Sequence, residues 1–161
     1  MISAKIFITV FLIGCTCTTV NSQIIHIVSK SEFSSTILKD DTVNIIYLST
    51  GCSAAIKDVK SIIEDEDFKK YAFILFFDAY SSDTVIKKVF GNSNLKIYKF
   101  DVPEKKKWIK NIRSDVSFLL GRNLSKRKLI FPLLIKFLNK KIFYYNNFLL
   151  TKENLETSGF H

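Results

Sequence analysis

Apolar residues along this chain come in short bursts, and the spacing inside the bursts alternates between two periods. "QIIHIVS" (Gln23 to Ser29) is β-branched and apolar with a polar boundary, the signature of a strand. "SEFSSTIL" (Ser31 to Leu38) places Phe33 and Ile37 one helical turn apart behind Ser31, which predicts a short helix capped by that serine. "VNIIYLST" (Val43 to Thr50) is a near-continuous apolar run, as expected of a strand covered on both faces. The period then changes. Cys52, Ile56, Val59 and Ile63 share one face of a predicted helix that runs to about Asp65. The acids Glu64 to Asp67 fit a solvated helix end or turn.

"YAFILFFDAY" (Tyr71 to Tyr80) is the strongest predicted strand and belongs at the centre of a sheet. "SSDTVIKKVFG" (Ser81 to Gly91) predicts a serine-capped helix ending at glycine, and "NLKIYKFDV" (Asn94 to Val102) another strand. From Pro103, Trp108, Ile112, Val116 and Leu119 or Leu120 keep helical spacing. Leu129 to Leu138, the pair Asn139-Lys140, and Lys141 to Asn147 read as a hairpin, and a last helix starts from Thr151, with Glu153 or Asn154 in its first turn. Alternating elements followed by a hairpin predict an α/β fold with a mixed sheet and helices on both faces.

Composition adds boundaries. The chain has 161 residues, 47% of them hydrophobic, which is enough for one domain with a core. Residues 1–22 stand apart: Lys5 precedes the apolar run Ile6 to Gly14, and Val20-Asn21-Ser22 suits a cleavage site, so a secretory signal peptide is expected. The run is too short for a membrane span, which needs roughly 20 apolar residues. Leu12-Ile13-Gly14-Cys15 also fits a bacterial lipobox, with Cys15 as the lipidated residue. Residues 23–161 would then form the single mature domain.

Removing that leader leaves Cys52 as the one cysteine, so the mature domain cannot be stapled by an internal disulfide. With His26 and His161 as the only histidines, no zinc site is expected, and no cofactor either. The net charge of +9 concentrates between Pro103 and Leu129, where Lys105, Lys106, Lys107, Lys110, Arg113, Arg122, Lys126, Arg127 and Lys128 face Glu104 and Asp115. Such a run is either a solvated surface or a patch for an anionic partner such as lipid headgroups, a sulfated glycan or an acidic protein. A secretory leader and the lack of an RNA-binding signature argue against nucleic acid. Asn123-Leu124-Ser125 is a glycosylation sequon.

Three stretches resemble the thioredoxin-like superfamily, and within it the protein disulfide isomerase branch. "YLSTGCSAAIKDV" is similar to its strand, Cys-X-X-Cys turn and helix; "FPLLIKFLNKKIFYYNN" to its cis-proline, strand, basic turn and strand; "LLTKENLETSGF" to the start of its final helix. The resemblance implies a thioredoxin-like fold, with a region of about 81–126 as an enlarged α/β insertion before the cis-proline strand. It also implies a cis Phe131-Pro132 bond beside Cys52, and a polypeptide site at Gly51, Cys52, Phe131 and Pro132.

The departures bear on chemistry. Ala55 stands where the resolving cysteine would be, giving CxxA for CxxC, and Ile46 replaces the buried acid that shuttles its proton. Two thiols are needed for dithiol exchange, so that activity is not expected. Cys52 itself has two readings, a reactive thiol favoured by a helix N-terminus or a small, buried, inert residue. The function implied is a secretory-pathway protein, lumenal in the endoplasmic reticulum or extracellular, that binds polypeptide clients or a partner complex, with single-thiol exchange at Cys52. A monothiol exchange enzyme and an interaction module built on Lys105 to Lys107 and Lys126 to Lys128 are the alternatives.

Overall fold

The structure, a computed structural model, describes residues 24–101, 108–123 and 131–146. The leader, Cys15, Lys105 to Lys107, Lys126 to Lys128, Pro103 and the helix expected from Thr151 lie outside the described residues. In chain order the elements are β1 (Ile25–Val28), α1 (Phe33–Thr36), β2 (Thr42–Leu48), α2 (Ser53–Glu64), α3 (Glu66–Lys69), β3 (Phe73–Phe77), α4 (Asp83–Phe90), β4 (Lys96–Phe100), α5 (Trp108–Leu119), β5 (Leu133–Leu138) and β6 (Lys141–Asn146).

The strands form one mixed sheet in the order β1-β4-β3-β2-β5-β6. The first four of these run parallel and β5 and β6 are antiparallel. β2 and β3 are therefore interior, and their side chains on both faces are buried, the physical reason for their unbroken apolar runs. Part of the expected insertion is built into the sheet itself: β4 is hydrogen-bonded between β1 and β3.

Two apolar layers cover the faces. On one, Ala55, Ile56, Val59 and Ile62 of α2 and Ile86 and Phe90 of α4 pack on Ile46, Leu48, Leu75 and Phe77. On the other, Phe33 of α1 and Ile112, Val116 and Leu119 of α5 pack on Ile45, Tyr47 and Phe76. An aromatic core holds this second layer, with the Phe76 and Phe100 rings 4.5 Å apart.

Local chemistry sets the boundaries. Ser82 caps α4 by accepting the Val85 N–H, and Asp65 caps α3 by accepting the Asp67 N–H, which turns the acid cluster into a short helix. The hairpin turn is Asn139-Lys140, both left-handed at φ 49° and 63°, the two-residue turn that matches strand twist.

Two expectations need correction. Ser31 does not cap α1; Glu32 occupies that position, and its Oε2 accepts the Ser29 N–H and Oγ–H at 3.2 and 2.6 Å. The turn is thus fastened by the longer acid reaching back, which leaves the serine without the role. Phe131 and Pro132, expected inside the strand of the hairpin, lie before it: β5 begins at Leu133, after a proline that has no N–H for a ladder.

Candidate functional site

β2 ends at Leu48 and α2 starts at Ser53, so Ser49 to Cys52 make the connecting turn. The Cys52 N–H donates to the Ser49 carbonyl at 3.1 Å, and the Cys52 carbonyl accepts the Ile56 N–H at 3.1 Å, the first bond of α2. Cys52 is the helix N-cap, with a half-buried thiol, no capping hydrogen bond and no acid in the first turn of the helix. Gly51 beside it is exposed.

Ala55 and Ile46, where the resemblance would place a second thiol and an acid, are 1% and 0% exposed and belong to one apolar cluster, against which Cys52 packs. The space is closed by hydrocarbon. A carboxylate there would lose its hydration among apolar side chains.

The Phe131-Pro132 peptide is cis. Pro132 is buried, and Phe131 is half-buried and packs against both apolar layers, including the cluster that Cys52 touches. Its ring lies 5.9 Å from that of Tyr47. Cys52 and Phe131 therefore border the same cluster, with Gly51 exposed next to Cys52. Asn123 is exposed just past α5, far from this corner in sequence.

Two polar groups leave little trace in the sequence pattern. In the first, the Thr50 N–H donates to Ser81 Oγ at 2.9 Å, Ser81 Oγ donates to the buried Asp78 at 2.6 Å, and the Ser82 N–H donates to Thr50 Oγ1 at 3.0 Å. Lys99 Nζ secures the same loop through the Ser81 carbonyl and Asp83 Oδ1, both at 2.7 Å. The cysteine turn is thus laced to the loop after β3. A lone acid closing the apolar run "FILFFD" is the available signal.

In the second group, buried Tyr47 donates to Asp115 Oδ2 at 3.3 Å, and Lys30 pairs with Asp115 Oδ1 at 2.9 Å. Burial pushes the Asp115 carboxyl up, against the lowering effect of Lys30, and burial likewise holds Tyr47 well above the usual phenol range. In sequence Asp115 is one acid in a basic run, and nothing local marks it as a partner of Tyr47.

No family model matches this chain, and no curated protein does. Among solved structures the likenesses are to thioredoxin-fold proteins. The reduced N-terminal domain of PilB from N. meningitidis is 10% identical with a TM-score of 0.48, covering 86% of this chain and 91% of that one. The exposed lipoprotein thioredoxin Etrx1 from Streptococcus pneumoniae is 16% identical with a TM-score of 0.43, covering 80% and 87%. Thioredoxin from Malassezia sympodialis is 14% identical with a TM-score of 0.37, covering 83% and 89%. Each is a likeness of overall fold, and no residue role is taken from it. The strand, cysteine turn, helix and cis-proline hairpin on a mixed sheet give this chain a thioredoxin-like α/β fold.

Proposed function

We propose that this is a thioredoxin-like protein of the secretory pathway, working in the endoplasmic reticulum lumen or outside the cell, that lacks dithiol chemistry and binds polypeptide at the Cys52 and Phe131-Pro132 corner. The observation that carries it is the closed apolar cluster of Ile46 and Ala55 beneath a half-buried Cys52. Gly51 leaves the approach to the thiol open, and an extended client would pair with main chain at Phe131, with little demand on its sequence.

Cys52 adds a single-thiol step. Its thiolate sulfur attacks one sulfur of a client disulfide, a new S–S bond forms as the old one breaks, and the departing client thiolate takes up a proton. No electrons have left the pair. Without a second thiol in the mature domain, the mixed disulfide persists until an external thiol such as glutathione attacks it and takes the place of Cys52.

The test is direct. Purified mature domain, with dithiothreitol as the electron source, should not accelerate insulin reduction. With oxidised glutathione it should gain one glutathionyl adduct, absent in Cys52→Ser. Robust insulin reduction would overturn the loss of dithiol chemistry, and an unmodified wild type would overturn the exchange step.

A further inference from the structure

We propose that a cavity at the amino ends of the strands, away from Cys52, binds an amphipathic carboxylate: an apolar body with one anionic head. Thr42, Phe73 and Lys96, the first residues of β2, β3 and β4, border it, whereas Cys52 follows the carboxyl end of β2. The seven residues of β2 put about 20 Å between the two places at about 3.3 Å per residue. This inference does not depend on the reading of Cys52.

The cavity measures about 790 Å³, within the range of about 300–1,000 Å³ in which small-molecule sites fall. Its apolar wall comes from Phe68, which is buried, and from Ile63, Val89 and Leu95, which are half-buried at the edge of the core. These side chains suit a hydrocarbon body.

Tyr71 supplies the second observation. It lines the cavity, is 3% exposed, and its hydroxyl has no hydrogen-bond partner among the described residues. A buried hydroxyl left unpaired costs about 1–3 kcal/mol, and a turn of the Tyr71 ring that brings it to a ligand oxygen in the cavity removes the cost.

The charge of the head follows from the rim. Lys88 and Lys96 line the cavity, are exposed, and form no ion pair among the described residues. Lys60 is already engaged by Glu64 at 3.7 Å, which leaves Asp40 as the other acid in the wall. Cations therefore exceed acids. The carboxyl end of α4 is a negative pole that would oppose an anion; there the Phe90 carbonyl accepts from Ser93 Oγ at 2.7 Å, and the charges of Lys88 and Lys96 offset the pole.

Isothermal titration calorimetry with dodecanoate tests the site on the whole mature chain. One saturable site is expected, with dodecanol binding at least tenfold more weakly and dodecyltrimethylammonium more weakly still. The double variant Lys88→Gln, Lys96→Gln should bind dodecanoate about tenfold more weakly, and Val89→Trp, which fills the cavity, should abolish binding.

Tyr71→Phe gives two readings. It should weaken dodecanoate several-fold, and it should leave the ligand-free protein as stable or more so, since it removes an unpaired group. Loss of stability would show that the hydroxyl has a partner and would overturn the proposal. So would no binding, equal binding of the cationic probe, or binding untouched by the lysine and Val89 variants. Cys52→Ser should bind dodecanoate as the wild type does, whatever becomes of thiol exchange.

Discussion

Ser81 holds Thr50 across the top of the sheet: its oxygen accepts the Thr50 N–H at 2.9 Å while its own proton goes to Asp78 at 2.6 Å. One hydroxyl thereby fixes the turn that carries Gly51 and Cys52 and satisfies a buried carboxylate. Removing it in Ser81→Ala leaves both partners short. A loss of about 2–3 kcal/mol in urea unfolding is expected, because a hydrogen bond to a charged group is involved. A change within about 0.5 kcal/mol, the range of an ordinary surface substitution, would mean that water replaces the hydroxyl at no cost.

Ile46→Asp restores the acid expected of a dithiol site without its thiol partner. At 0% exposure and amid hydrocarbon, the new carboxyl is expected to destabilise the fold by more than about 3 kcal/mol. Equilibrium unfolding in guanidinium reads the difference. A loss under about 1 kcal/mol would show that this cluster admits water, against its closed packing.

Ala55→Cys tests the other half of the pair. The added sulfur is small but enters a fully packed position, so a modest destabilisation of about 1–2 kcal/mol is expected. The variant should form an internal disulfide with Cys52 under oxidised glutathione and gain measurable insulin reduction. If it stays a dithiol under those conditions, Cys52 and position 55 are not in bonding reach, and the likeness of this turn to a redox turn fails.

The Asp115 carboxyl has its pKa raised in the folded protein, first by burial, then by Asp78, and lowered in part by Lys30 and Tyr47. A group with a raised folded pKa binds its proton more tightly when folded, so its contribution to stability is present below the unfolded value, about 3.9, and lost as pH rises through the folded one. Urea unfolding of wild type and Asp115→Asn from pH 4 upward checks this. The wild type should lose stability over that window relative to the variant; parallel curves would remove Asp115 as the source.

Phe76→Ala removes the ring at the centre of the α5-side layer, which sits at 0% exposure. A loss of about 3–5 kcal/mol is expected, measured by thermal or chemical unfolding. A smaller cost would mean that Phe33, Tyr47 and Phe100 collapse into the space.

Much of the fold is legible in the amino-acid sequence. The changes from continuous apolar runs to helical spacing locate β2, α2, β3, α4 and β4, because each reports which faces must be buried and those constraints are local. Ser82 and Asn139-Lys140 mark their cap and turn for the same reason. Ala55 and Ile46, at the positions where the resemblance would put a second thiol and an acid, are equally plain in the sequence.

The places where sequence reasoning falls short are mostly contacts between distant residues. Thr50 meets Ser81, and Tyr47 meets Asp115, across separations that carry no periodicity. At α1 the competition is local: Ser31 has the residue type of a cap, yet Glu32 reaches back to Ser29.

The sequence by itself determined the elements, the mixed α/β class and the apolar residues Ile46 and Ala55 near Cys52, since burial pattern and residue identity are properties of the chain. Tertiary structure alone decided that β4 enters the sheet between β1 and β3, that Cys52 packs against an apolar cluster, and that the hydroxyl of Tyr71, a cavity-lining residue, has no partner among the described residues. Strand order, packing and hydrogen-bond satisfaction depend on which surfaces meet once the chain is folded.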